Sequence, residues 1–136
     1  MDFNTIITTS ITSYLDTIKN TWTDVKGSFS GRAGKKTFWT FFLTNVVVGI
    51  ILGAVITVLT RVSRVFGFLN ILDFAFSIAT GIPGLALLVR RLHDTGKSGT
   101  TALLNLICCV GPIICLVFAA QDGDAGDNQY GPAPIE

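Results

Sequence analysis

The chain has 136 residues, of which 49% are hydrophobic and 14% charged, and its net charge is +1. A typical soluble domain is about 25% charged, and nucleic-acid binding wants a strongly basic face, so composition excludes an ordinary soluble domain and a nucleic-acid partner. Cys108, Cys109 and Cys115 crowd one apolar stretch instead of spreading between loops, which excludes a secreted disulfide framework.

Residues Met1 to Val25 predict an amphipathic helix. Ile7, Ile11, Leu15, Ile18, Trp22 and Val25 recur at steps of three and four, on one face, with Thr, Ser, Asn, Asp16 and Lys19 opposite. Such a helix lies on a membrane or packs on a partner helix. Gly27 to Gly34 breaks it and links it to the first span. Phe38 to Leu59 holds 22 residues without a charge, about 33 Å of helix against a hydrocarbon core of about 30 Å. Val65 to Val89 carries one charge, Asp73, and 14 Val, Ile, Leu or Phe residues. Those contribute roughly −6 kcal/mol to insertion, against about +3 for a central Asp. Thr101 to Ala120 is again uncharged and long enough to cross. Gln121 to Glu136 is an acidic, glycine-rich tail, read as a solvated turn segment.

The expected fold is therefore an all-α polytopic membrane protein. It divides into an amphipathic helix and linker (1–28), a three-transmembrane-helix bundle (29–134, spans about 38–59, 65–89 and 101–120) and a polar tail (121–136). No signal peptide is visible, and the spans themselves serve as insertion signals. Seven Lys or Arg residues (Lys26, Arg32, Lys35, Lys36, Arg90, Arg91, Lys97) flank one side and two (Arg61, Arg64) the other. The positive-inside rule keeps the larger group cytoplasmic, and three crossings would then carry the carboxyl terminus to the periplasm.

Each span bears a stripe of small or polar residues. The first has Asn45, Gly49 and Gly53, the second Asp73 and Gly81, the third Asn105 and Cys115. Helices in lipid associate through close backbone approach and interhelical hydrogen bonds, so these stripes are packing faces, either within one chain or between copies. An intramembrane acid is by default a functional candidate. Asp73 is either structural, as an ion-pair partner of Arg61 or Arg64 or a side chain snorkelling to the interface, or part of a path in a small transporter or channel subunit.

In the second loop, Gly96-Lys97-Ser98 resembles a phosphate loop, but Arg91 stands where that motif needs glycine and no strand precedes it. Asp122, Asp124 and Asp127 are spaced like calcium ligands, but Asp127 stands where the loop needs glycine. Neither a metal nor a cofactor is expected. His93 beside Asp94 has the residue types of a base and its orienting carboxylate, without a nucleophile in view. The alternative is a structural one: Arg90 and Arg91 at anionic headgroups, a turn at Asp94 to Gly96, and Ser98 capping the next helix. With Arg32 and Lys35, residues Arg90, Arg91, His93 and Asp94 form a candidate lipid- or partner-binding surface.

Three segments together resemble one family: Phe29-Ser30-Gly31-Arg32-Ala33 with Phe38-Trp39, the run Arg90-Arg91-Leu92-His93-Asp94-Thr95-Gly96-Lys97-Ser98-Gly99, and Asn128-Gln129-Tyr130-Gly131-Pro132-Ala133-Pro134. The chain is similar, over roughly Phe29 to Pro134, to the small bacterial inner-membrane proteins catalogued as domain of unknown function 805. The resemblance implies a bacterial inner membrane and no enzymatic activity. Where that family has a proline-hydrophobic-glycine turn in its third span, this chain has Cys109-Val110-Gly111-Pro112. The expected role is non-enzymatic: self-assembly, or docking to a membrane complex or anionic lipid.

Overall fold

A computed structural model describes residues 2–136; Met1, which the sequence assigns to the first helix, lies outside them. Four α-helices follow in order: α1 (Phe3–Thr23), α2 (Lys35–Val62), α3 (Leu69–Asp94) and α4 (Val110–Ala120). Short 3₁₀ turns sit at Gly27–Phe29 and Arg64–Phe68, and a longer 3₁₀ stretch at Gly99–Leu106.

Helix α2 has 28 residues and α3 has 26, about 42 and 39 Å. Both are long and apolar enough to cross a membrane. Leu43, Val47, Ile50, Ile51, Val55 and Val58 stand exposed along α2, as side chains do when the surrounding solvent is lipid. The core lies between the helices at one end, around Phe38, Phe41, Leu87, Leu88, Leu92 and Cys115.

The expected third span is built differently. Gly99–Leu106 and α4 are two short arms, about 16 Å each, joined by a reversal at Ile107 to Cys109. Cys109 takes a positive φ of 68°, and the Gly111 N–H donates to the Ile107 carbonyl. A Cβ on Gly111 would lie 1.6 Å from the Leu104 carbonyl oxygen, so only glycine lets the arms close. Cys115 Sγ reaches the Thr101 carbonyl at 3.8 Å. The segment is thus a hairpin that turns back half-way, where the sequence predicted one continuous helix. The physical reason is that the turn is made by residues as apolar as the arms. A hairpin returns the chain to the end where it began. The tail accordingly meets the amino-terminal flank, through Lys35–Asp122 and Arg32–Asp124, and not the opposite end of the bundle.

Helix α1 packs on both long helices. The Asp2 carboxylate caps it by accepting from the Thr5 N–H at 2.8 Å. Thr8, Thr12, Thr17 and Thr23 each donate a hydroxyl to the carbonyl four residues back, which satisfies those groups within the helix. Tyr14 and Thr21 are its buried residues. The Tyr14 hydroxyl donates to Asn45 Oδ1 at 2.8 Å, and its ring lies 5.0 Å from that of Phe41. Ile7, Ile11, Leu15, Trp22 and Val25 of the predicted stripe remain exposed, while Ile18 packs against the core.

Pro83 lies inside α3. It has no N–H for the Ala79 carbonyl, its partner one turn back. The Trp22 indole N–H donates to that carbonyl at 2.9 Å, so α1 supplies the bond that the proline withholds. Trp22→Phe should cost about 1–3 kcal/mol by leaving the carbonyl unpaired. In a Pro83→Ala background, where the new N–H can fill the place, the same change should cost a few tenths at most. A double-mutant cycle of unfolding in detergent reads the difference; equal costs in both backgrounds would show that the carbonyl is not shared in this way.

Candidate functional site

The last turn of α3 is where the chain concentrates its charge. Arg91 and His93 lie there, beside the carbonyl end of the helix dipole. Thr95 closes the helix, and Gly96 follows with a φ of +72°. The Lys97 N–H returns to the Leu92 carbonyl at 2.8 Å and the Gly96 N–H to that of His93 at 3.1 Å. This is the paired-bond C-terminal cap that favours glycine at its left-handed position, and it aims Asp94 inward.

Asp94 receives two arginines. Arg32 donates from Nε at 2.9 Å to Oδ1, with Nη2 2.8 Å from the same oxygen, and Arg91 Nη1 pairs with Oδ2. The side chains are 1% exposed for the arginines and 4% for the aspartate. The remaining guanidinium donors go to main-chain carbonyls. Arg32 reaches those of Asp124 (2.7 Å), Gly126 (2.6 Å) and Gly131 (3.3 Å). Arg91 reaches Ala119 (3.0 Å) and Gln121. Two cations around one anion leave a net positive charge out of water, and the carbonyl dipoles offset it. The Asp124 N–H also donates to the Asp94 carbonyl at 2.8 Å.

His93 is held from three directions. Its ring stacks on Tyr130 with centroids 3.9 Å apart. Nδ1 lies 3.0 Å from the Gly31 carbonyl, and since a carbonyl only accepts, that nitrogen carries the proton. Asn128 Nδ2 donates to the His93 carbonyl and to Asp124 Oδ2. The Asn128 side-chain oxygen accepts from the Tyr130 N–H, and Asn128 and Gly131 exchange main-chain bonds. His93 and Asp94 therefore do not form a base and its orienting carboxylate: the carboxylate serves the arginines and the imidazole serves Gly31.

Around this cluster the tail makes two outer attachments. Lys35 Nζ lies 2.5 Å from Asp122 Oδ1, both exposed. The Glu136 carboxylate accepts from the N–H groups of Lys36 and Thr37 and from the Thr37 hydroxyl, capping the start of α2. Burial pushes Glu136 up, but the hydrogen bonds from Thr37 and Lys36 outweigh it and leave the carboxyl below its ordinary value. The hydrogen bond and charge of Lys35 likewise lower Asp122.

The sequence-predicted residues thus divide. Arg32, Arg91, His93 and Asp94 come together as a buried cluster, and Lys35 sits at its edge. Arg90 points elsewhere: it forms no ion pair among the described residues, donates to the Arg32 carbonyl at 3.3 Å and keeps a buried Nε without a partner. Asn45 bonds Tyr14 of α1, whereas the Asn105 amide turns back on the Ala102 carbonyl. Gly49 and Gly53 face open space, so no helix of the same chain packs closely on them. Asp73 pairs with neither Arg61 nor Arg64; the ion pairs among the described residues all lie at the opposite end. Sequence reasoning missed the tail's part in the cluster, although Asn128, Tyr130 and Gly131 stood in one of the three segments of resemblance.

Comparison with known proteins covers the segments that meet here. Residues 27–132 match the family model described as protein of unknown function (DUF805). The inner membrane protein YhaI of Escherichia coli (strain K12) is 39% identical over 121 residues, 89% of this chain and 93% of that protein. The inner membrane protein YhaH of the same strain is 37% identical over 121 residues, 89% of this chain and 94% of its own length. No solved structure matches.

Removal of the shared anion should be severe. Asp94→Ala leaves two buried guanidinium groups without a carboxylate, a loss of about 3–5 kcal/mol; Arg90→Ala, which breaks no ion pair, should cost less than about 1.5 kcal/mol. Thermal unfolding of the two variants in detergent compares them directly, and equal losses would contradict the cluster. The outer attachments carry a pH dependence of known sign. Carboxyls whose folded pKa is depressed add stability that is present above their unfolded values, 4.5 for Glu136 and 3.8 for Asp122, and is lost as pH falls through the folded ones. Amide hydrogen exchange in the tail should therefore accelerate, relative to α3, as pH drops below about 4.5; a constant ratio would mean that these carboxylates do not hold the tail.

Proposed function

This chain belongs to the DUF805 family, and on that premise we propose that it is a non-catalytic inner-membrane protein whose folded polar end is a docking surface for another membrane protein. The observation that carries the reading is the Arg32–Asp94–Arg91 cluster. It uses its reactive groups on one another and on main-chain carbonyls, and so builds a rigid platform instead of an open reaction site. A platform costs less to bind than a loop that must first be ordered. The names of YhaI and YhaH support the inner membrane as its location.

In this reading α2 and α3 cross the bilayer, and the Gly99–Ala120 hairpin enters and leaves by one face. Flank, second loop and tail then share the cytoplasmic side, where seven of the nine Lys and Arg residues from Lys26 onward lie. The Arg61 to Phe68 turn faces the periplasm.

Reporter fusions test the arrangement. Green fluorescent protein after Glu136 should fluoresce, and alkaline phosphatase inserted after Ser63 should be active; a dark first fusion with an active phosphatase at Glu136 would overturn it. Docking is read by native mass spectrometry of the tagged protein in native lipid discs. A second polypeptide should be present with the unmodified chain and depleted with Asp94→Ala. A particle holding this chain and lipid alone would contradict docking.

A further inference from the structure

Helix α1 has three faces. Tyr14 and Thr21 are buried against α2 and α3. Thr8, Thr9, Thr12, Ser13, Asp16, Thr17 and Asn20 line an open polar groove on one flank. On the other flank Phe3, Ile7, Ile11, Leu15 and Trp22 stand exposed, and Val25 just beyond the helix is exposed too. An apolar stripe of this size, left in water beside a packed polar face, is unfavourable because apolar surface is driven out of water.

The level of α1 says what meets the stripe. Near its start, Ile6, Ser10 and Ser13 share a pocket with Lys36, Thr37 and Glu136 at the charged end of the bundle. Tyr14 bonds Asn45, ten residues into α2 from Lys35, and Trp22 bonds the carbonyl of Ala79, fifteen residues before the end of α3. Because the Ala33 N–H donates to the Arg90 carbonyl, Ala79 lies about 16 Å from that end, close to the level of Asn45 at about 15 Å, so between Tyr14 and Trp22 the contacts of the helix stay at nearly one depth. It lies aslant, at the border between the polar end and the apolar stretch of α2, and does not span. The polar groove opens beside the charged end and the apolar stripe continues the exposed apolar surface of α2. Its charges are Asp2, Asp16 and Lys19, with Asp24 and Lys26 just after it, so it has no excess of positive charge to attract anionic headgroups.

We propose that α1 is an in-plane anchor, docked on α2 and α3, whose stripe Phe3, Ile7, Ile11, Leu15 and Trp22 enters the acyl boundary of the leaflet at the charged end. The occupant of this face is the lipid leaflet itself, held by apolar burial and indifferent to lipid charge. The inference rests on the membrane placement of α2 and α3 but not on docking to a protein.

Nitroxide labels on the full chain test it, reconstituted into phosphatidylcholine vesicles. Ile11→Cys and Thr9→Cys are each made in a Cys108→Ser, Cys109→Ser background, Cys115 being buried. At Ile11 the label should relax with oxygen, which concentrates in lipid, at least threefold more than with a water-soluble nickel chelate, and at Thr9 the order should reverse. Adding 30% phosphatidylglycerol should change neither ratio. Because labels can disturb packing, Trp22 fluorescence in Trp39→Phe gives a second reading: lipids brominated near the carbonyl end of the acyl chain should quench it more than those brominated near the chain end. Water access at both labelled positions would overturn the proposal. So would shielding of Ile11 and Trp22 from water and lipid alike, which would mean a protein covers the stripe. A response only with phosphatidylglycerol would overturn its charge-indifferent form. If native mass spectrometry finds no second polypeptide while the label pattern holds, the docking reading falls and the anchor stands.

Discussion

A carboxylate taken out of water must be met by cations and donors close at hand, and Asp94 is met by one arginine near it in the chain and one far from it. Arg91 arrives from the same helix three residues earlier, and Arg32 from 62 residues away. Their spare donors need carbonyl groups, and the tail supplies most of them, at Gln121, Asp124, Gly126 and Gly131. The tail can supply them only if the chain returns to this end after α3. The hairpin of Gly99–Ala120, closed by Gly111, makes that return. A full crossing would have left both arginines short of acceptors.

The same accounting governs the apolar part. Where water is scarce, each main-chain group needs a partner within the protein. Pro83 breaks that rule inside α3 and Trp22 repairs it from α1. The threonines of α1 return their hydroxyls to its own carbonyls. Asn45, a polar group on an otherwise apolar helix, is matched by Tyr14. With Tyr14 and Ile18 against the core, these bonds dock α1 and leave Ile6, Ile7, Ile11 and Leu15 facing outward.

Much of this was legible in the sequence. The uncharged run from Phe38 and the apolar run from Val65 became α2 and α3, because apolar length decides such helices. The gathering of Arg32, Arg91, His93 and Asp94 was visible as resemblance, but their burial was not. The step from Leu87 to Arg91 to Asp94, four residues and then three, marks one helical face, and Leu87 is a core residue; that pattern distinguishes Arg91 from its neighbour Arg90. Hairpin and span could not be separated by hydropathy, since their compositions are alike. The tail was misread for a different reason: it works mostly through main-chain carbonyls, which every residue has and no side-chain pattern reveals. Gly49 and Gly53 looked like a packing face, and the structure leaves them unpacked within the chain.

The account stands on Asp94 holding both arginines at once in the membrane-embedded protein. Solid-state magnetic-resonance dephasing between arginine guanidinium ¹⁵N and aspartate carboxyl ¹³C, recorded in lipid vesicles, measures that contact without unfolding anything. The structure requires strong dephasing at two buried guanidinium groups, both lost in Asp94→Asn, with the weaker signal of Lys35–Asp122 absent from the arginine region. Dephasing at one arginine only, or its persistence in Asp94→Asn, would contradict the shared carboxylate on which the closed end depends.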